Sequence, residues 1–404
     1  MFGRKNTASE PELRRSFVLR FADGVATSTL IFAMPLMIYN ATQSLSWSGL
    51  AFLIEWLPRL VAIPVAGSLV DRFGSRRMFI ASDGGRMVML IVAIILVALQ
   101  PHMWPILLGV GVVNGILGQL SFVAAEHMGV QIPTKKSHHQ VQSVQVGIDQ
   151  TVMVMGPMLA GALLFFGNLG VLVGVGVLSM ISLFFAIRLR LVHTATHAEQ
   201  LSVASGFRKG WSIIAASRPL QFVVAGTVAF NFLLAFITVI TPATIKGEFG
   251  GTDGHVSLLW TVGAIVSIFS VYVASRIMKR TGIVVIGTIA GIVASLAILI
   301  ASMTHAYMVY AICVTLFLAM DGVYAVYIRT ARARIVPVEH FGVTVGVIVL
   351  FSLIPFPLVG MVVAAIPQAL LPFVLGVCTV VCLLVTIVSH IKIDRLVLED
   401  STVS

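Results

Sequence analysis

Apolar runs of about twenty residues recur along the chain, with short polar connections between them. A run of that length, wound as a helix, crosses a hydrocarbon core about 30 Å thick. The pattern predicts about twelve spans, centred near residues 28, 58, 89, 115, 153, 178, 231, 265, 292, 316, 352 and 380. The connections are short, and no separate extramembrane domain fits among them.

Composition agrees with this pattern. The 404 residues are 58% hydrophobic and only 10% charged, against about 25% charged in soluble domains. The net charge of +10 would suggest nucleic acid in a soluble protein, but its distribution points elsewhere. Arg4, Lys5, Arg14 and Arg15 precede the first span, and Arg72, Arg76 and Arg77 follow the second. Further basic residues follow spans four, six, eight, ten and twelve, whereas the alternate connections carry only Lys246. This is the positive-inside pattern, and it predicts that both termini are cytoplasmic. Attraction to anionic headgroups is a sufficient use for these charges, so the lipid bilayer is a partner and nucleic acid is not. The first apolar run is too long for the core of a cleavable signal peptide.

Cys313, Cys378 and Cys382 all lie in apolar spans without metal or redox spacing and read as ordinary buried thiols. The sequon at Asn40 abuts a span and reads as a chance match. Residues 190–218 form the longest connection and divide the chain into a first half, 1–189, and a second, 219–404. His193 and His197 in this linker are spaced i,i+4, but without carboxylate or cysteine company they do not point to a metal. The two halves read as a duplication. Pro133 and Pro337 stand 204 residues apart, and the same offset carries Gly156 onto Gly360 and Ala160 onto Ala364. Such internal repeats characterise transporters.

The run "GSLVDRFGSRR", Gly67 to Arg77, lies between spans two and three. Gly67 permits close helix approach, Gly74 a tight turn, and Asp71 can accept hydrogen bonds from a helix N-terminus or an arginine. The spacing Gly67-x-x-x-Asp71-Arg72-x-Gly74-x-Arg76 resembles the loop signature of the major facilitator superfamily. The resemblance implies a loop that latches two six-helix halves together when the cytoplasmic side is closed, with Asp83 and Arg86 in the same network. Ser75 replaces the family's usual basic residue, and Arg76 and Arg77 are expected to cover the loss. "SRIMKRTG" in the second half keeps Lys279, Arg280 and Gly282 but has no acid.

Pro58-Arg59, Asp83 with Arg86, and "RIVPVEHFG" resemble the macrolide-efflux and enterobactin-exporter branch of that superfamily. "GPMLAG" in span five, with Gly156, Pro157 and Gly161, resembles the antiporter motif. Ala160 stands there for one glycine and Val152 for another upstream. A span-four arginine common in proton-coupled exporters is replaced by Gly111, so coupling is not carried over from it.

An intramembrane charge costs about 2.5–3.5 kcal/mol at a helix centre on insertion scales, so each needs a partner or a purpose. Glu55 and Arg59, at i,i+4, are expected to pair on span two, and Asp83 and Arg86, at i,i+3, on span three. Glu126 is expected at the interface, and Arg20 is near enough to it to snorkel. Asp23, Asp149 and Asp321 lack a basic residue at helical spacing in the apolar part of their spans. The resemblance implies that spans one, four, seven and ten line the cavity. Asp23 and Asp321, about 10 Å from the cytoplasmic end, are therefore candidates for substrate or proton coupling, as is Asp149 of span five, with Asn114, Gln119 and Asn231 adding polar contacts. Each acid has a structural alternative, as an acceptor for a neighbouring helix's hydroxyl.

The expectation is an all-α protein of twelve transmembrane helices in two pseudo-symmetric halves, monomeric, in the bacterial inner membrane. It is expected to export a small organic molecule by alternating access, as a proton antiporter, with no cofactor or metal. Import by symport is the alternative. Siderophore, macrolide-like drug and amphiphilic metabolite all remain open as substrates, because walls of Phe, Met and Leu are permissive. No G-x-x-x-x-G-K-[ST] is present to bind ATP, and neither H-E-x-x-H nor a Ser/His dyad suggests an enzyme. A non-transporting sensor would usually need a soluble output domain, for which there is no room.

Overall fold

The computed structural model describes residues 9–100, 104–132, 138–190, 203–336 and 341–401. Two compact units divide the chain. The first, Met1–Gln200, holds α1 (Ser9–Thr42), α2 (Leu45–Phe73), α3 (Ser75–Leu99), α4 (Pro105–Gln131), α5 (His138–Leu164) and α6 (Gly167–Arg188). The second, Leu201–Ser404, begins with α7 (Val203–Ala216) and continues with α8 (Arg218–Ala243), α9 (Asp253–Thr281), α10 (Ile283–Met303) and α11 (Tyr307–Ile335). It ends with α12 (Phe341–Leu353), α13 (Pro355–Ala365) and α14 (Leu371–Ser401). A π-helical turn, Thr244–Glu248, extends α8, and a 3-10 turn, Gln368–Leu370, precedes α14.

Eleven helical stretches among the described residues are long and apolar enough to cross a membrane. The twelfth span is α2, which has 29 residues but is interrupted by Glu55 and Arg59. All twelve expected centres fall inside helices. Apolar side chains cover the outer faces, among them Val88 and Ile95 on α3 and Ile265 and Phe269 on α9. In water such a surface would be a liability; in a bilayer it is the solvated face.

The segment expected to be a polar linker departs from that expectation. Its C-terminal part folds as α7, whose Ile214 is buried with Val347 and Ile348 of α12 and Leu220 of α8. Trp211 of α7 also packs on Phe351, with ring centroids 5.2 Å apart. The alternation of apolar and polar residues over 203–216 is what seats this helix. His193, His197, Pro133 and Pro337 lie outside the described residues.

The two units share one local device. Gly74 ends α2 and begins α3 with φ +86° and ψ 139°; Gly282 joins α9 to α10 with φ +86° and ψ 158°. Its N–H closes the preceding helix by bonding Val70 O at 2.8 Å, as Gly282 does Met278 O at 3.1 Å. Positive φ is cheap for glycine and costly for any other residue.

Helices in lipid gain little from hiding apolar surface from each other, so close backbone approach carries their packing. Gly115 of α4 lies so near α2 that a Cβ there would run into the Glu55 carbonyl oxygen. Gly156 of α5 sits against Ser28 of α1 in the same way. In the second unit, the span α12–α13 is broken at Ile354. Pro355 and Pro357 bring no N–H to the helical ladder, and the Asn231 amide of α8 instead donates to the Ser352 carbonyl at 2.7 Å.

Gly115→Val is expected to destabilise the protein by ~1–3 kcal/mol or more, since the obstacle is backbone. The Cβ position of Gly67 meets nothing within 4 Å, so Gly67→Ala should leave stability unchanged. Thermal unfolding of the purified variants in detergent checks both.

Candidate functional site

The buried charges of the first unit are paired across helices rather than along them. Arg86 of α3 donates from Nη1 to Asp23 Oδ1 of α1. The Ser121 hydroxyl of α4 lies 3.1 Å from both Asp23 oxygens. Asp83 is held more loosely, with Oδ1 3.8 Å from Arg86 Nη1 and the Ser182 hydroxyl beside it. The expected Asp83–Arg86 pair is therefore secondary, because the guanidinium points across to α1. All five residues are buried.

The expectation of an isolated Asp23 fails for the same reason: its counter-ion comes from 63 residues away. Asp149 fails it too. Arg20 donates from Nε to Asp149 Oδ1 at 2.9 Å and from Nη2 to Oδ2 at 2.8 Å. The same Nη2 is 2.6 Å from Glu126 Oε2 of α4, and the guanidinium lies over the Phe122 ring at 5.1 Å. Arg20 does not snorkel; it is 4% exposed and ties α1 to α4 and α5.

Glu55 and Arg59 lie at the α2–α4 contact. Arg59 Nη2 is 3.9 Å from Glu55 Oε1, and its guanidinium lies over Trp56 at 4.8 Å. Asn114 Nδ2 donates to Glu55 Oε1 at 3.3 Å. Both Glu55 and Asn114 are fully buried. Asn114 is thus a partner of Glu55, while Gln119, one turn on, is half-buried.

The loop signature is used locally. Asp71 ends α2, and its side chain lies outside the described residues. Arg76 donates from Nε to Ala186 O at 3.2 Å and from Nη2 to Ile187 O at 2.7 Å. It caps the C-terminus of α6, a favourable place for a cation. Ser75 itself donates to Gln131 Oε1 at 2.7 Å. Arg72 stacks on Phe73, and Arg77 is exposed. The close approach expected at Gly67 is not made among the described residues.

On α5, Gly156, Pro157 and Gly161 are all buried. Val152, at the motif's missing glycine, packs against Gly24 of α1, where a Cβ would stand 2.8 Å from Val152 Cγ2. The small residue needed for this contact is therefore supplied from the opposite helix.

The second unit has a different interior. Phe317, Phe230, Tyr324 and Tyr327 form an aromatic ladder with centroid separations of 5.3, 4.4 and 5.6 Å. Asp321 stands between two of its members, 14 residues from either end of α11, or about 21 Å from each. That is deeper than its distance from the apolar boundary suggests, because α11 runs on past that boundary. Asp321 is half-buried and makes no hydrogen bond or ion pair among the described residues. Arg329, two turns along α11, is its one electrostatic counterpart. Asn231, expected to face substrate, is engaged with Ser352.

Sequence reasoning overlooked Ser121, which holds Asp23, and the bridging roles of Arg20 and Glu126. An i,i+3 or i,i+4 search within one helix carries no signal for them. No group of His, Cys, Asp and Glu suited to a metal occurs among the described residues.

A family model described as the Major Facilitator Superfamily matches residues 16–360. Among curated proteins, the chain is 29% identical to multidrug resistance protein MdtG of Yersinia enterocolitica over 148 residues, 35% of this chain and 34% of that protein. It is 29% identical to the MdtG of a Rahnella species over 173 residues, 39% of this chain and 40% of that one. The chain thus spans about a third to two fifths of the length of these relatives. Among solved structures, the nucleoside transporter NupG superposes with a TM-score of 0.74 at 10% identity, covering 95% of this chain and 99% of NupG. A bacterial homologue of the iron transporter ferroportin, inward-facing, gives 0.72 at 15% identity over 94% and 98%. At these identities the structures speak to the fold.

Removing one partner of a buried pair strands the other charge, at a cost of ~3–5 kcal/mol. Arg86→Met is therefore expected to destabilise the protein strongly, and Arg86→Met with Asp23→Asn to recover most of the loss. A double-mutant cycle on thermal or denaturant unfolding checks this.

Proposed function

This chain belongs to the Major Facilitator Superfamily, and from that premise we propose that it exports a small organic molecule in exchange for protons, by alternating access. It is a multi-pass membrane protein and a transporter rather than an enzyme. The direction is supported by the name of its relatives, multidrug resistance proteins. The substrate class favoured here is amphiphilic, a drug-like compound or siderophore, and the membrane is a bacterial inner membrane with both termini cytoplasmic.

One observation carries the coupling assignment. Asp23 and Asp149 have arginine partners within hydrogen-bonding distance, whereas Asp321 has none among the described residues. A carboxylate clamped by a guanidinium cannot change its charge without stranding its partner. An unpaired carboxylate at mid-depth in a helix has no such anchor, and gaining a proton removes its charge from the membrane. Asp321 can therefore take a proton from one side and release it to the other as its hydration changes.

Asp321→Asn is expected to abolish uphill efflux of a fluorescent amphiphile from energised cells, while substrate counterflow in proteoliposomes persists. Uphill efflux by Asp321→Asn with the wild-type dependence on external pH would reject the assignment. Accumulation inside energised cells expressing the wild-type protein would reject the direction.

A further inference from the structure

We propose that Glu55 holds a proton in the folded protein and shares it with Asn114, so that the buried core of the first unit contains one exchangeable proton. This stands apart from the transport reading and from Asp321, which lies in the other unit.

Three observations converge on it, and the first is charge balance. The core between α1, α2, α3 and α4 contains three acids, Asp23, Glu55 and Asp83, and two bases, Arg59 and Arg86, with side chains at most 8% exposed. Fully ionised, this set carries one surplus negative charge. Arg20 does not offset it, because its guanidinium is committed to Asp149 and Glu126, which are 31% and 42% exposed. A net charge with neither water nor a partner is the most costly arrangement in a membrane interior. One proton makes the set neutral.

The second observation identifies the acid. Around Asp23 are Arg86 and the Ser121 hydroxyl. Asp83 has Arg86 at 3.8 Å, and neither of its oxygens accepts a hydrogen bond among the described residues, the Ser182 hydroxyl donating to Leu19 O at 3.3 Å. The cation nearest Glu55 is Arg59, at 3.9 Å, which is too long for a hydrogen bond. From the packed helices Asn114 of α4 bonds to Glu55, while Asp23 of α1 and Arg86 of α3 act electrostatically on Arg59, and Asp83 of α3 on Asp23. Glu55 and Asp83 are therefore the two acids without a hydrogen-bonded cation, and Glu55 is the one with an amide bonded to it.

The third observation is the pattern of orphaned atoms. Asn114 Nδ2 donates to Glu55 Oε1, but Glu55 Oε2 and Asn114 Oδ1 are both buried with no hydrogen-bond partner. Both are oxygens, and two acceptors cannot satisfy each other. A proton on Oε2 turns one of them into a donor, and Asn114 Oδ1 is the acceptor left on the neighbouring amide. The acid and the amide then form a reciprocal pair, each donating once and accepting once. The backbone brings them together: Gly111 offers no side chain, its Cβ position lying 3.8 Å from that of Glu55, and Gly115 lets α4 close onto the Glu55 carbonyl.

The test uses the full-length protein in lipid nanodiscs. Infrared spectra at neutral pH are expected to show a protonated-carboxyl C=O band that is missing in Glu55→Gln and present in Asp321→Asn. In Asn114→Leu the band should move to higher frequency, because its hydrogen bond is lost. Gln supplies the same shape with a neutral head that donates to Asn114, so Glu55→Gln should retain the wild-type Tm while Glu55→Ala loses stability. A protonated-carboxyl spectrum identical in wild type and Glu55→Gln would overturn the proposal. So would a Glu55→Gln protein that fails to fold or melts as early as Glu55→Ala, since the ionised form would then be the one the fold requires.

Discussion

The first unit depends on the placement of one guanidinium. Arg86 is fully buried, and its bond to Asp23 ties α3 to α1, with Ser121 of α4 closing the other side of the same carboxylate. Once that charge is in the core, its neighbours are constrained. Asp23 needs a second donor, Asp83 settles beside the same cation, and α4 must come close enough to deliver its hydroxyl. The small residues of the helix contacts follow from this demand. Buried pairs of this kind add little to stability over apolar packing, but they tolerate few alternative arrangements, because any slip leaves a charge without its partner. Here the ionic core acts as a register for three helices.

The second unit repeats the helices without repeating this chemistry. Gly74 and Gly282 share their φ and stand 282 − 74 = 208 residues apart. Moved by that step, Asp83 falls on Gly291 and Arg86 on Ala294. The same step carries Glu55 to Gly263, and the 204-residue step of the later helices carries Asn114 to Leu318. Leu318 packs against Gly263. The helix contact that joins an acid to an amide in the first unit therefore joins a glycine to a leucine in the second. The aromatic ladder from Phe317 to Tyr327 supplies specificity there, each ring pair contributing ~0.5–1.5 kcal/mol beyond its contact area. The matched positions keep a close helix approach and differ in interior chemistry.

The architecture was legible because it follows from period and composition. Twenty-residue apolar runs, basic residues on alternate connections and an offset between halves are properties of the chain read in order. The pairs were not legible, since Arg86 meets Asp23 from 63 residues away and Arg20 meets Asp149 from 129. Rules for i,i+3 and i,i+4 neighbours see only pairs within a helix, so they rated Asp83 as the natural partner of Arg86 and left Asp23 and Asp149 alone. Val152 shows the same limit from another side: a missing glycine looked like a defect until Gly24 stood opposite it. Asp321 was visible as an acid in an apolar span, but its lack of a partner became informative only after the others had found theirs.

The break in the span α12–α13 has a mechanical consequence. An unbroken helix resists bending because each bend stretches several ladder bonds at once. Around Ile354 the ladder is thinned, since Pro355 and Pro357 bring no donors; Ile354 N–H still reaches Phe351 O at 3.3 Å and Leu358 N–H reaches Ile354 O at 3.5 Å, and the Asn231 amide holds the Ser352 carbonyl. The joint between Phe341–Leu353 and Pro355–Ala365 therefore resists bending less than an unbroken helix would. A side-chain amide on α8 braces this joint from outside the helix it belongs to.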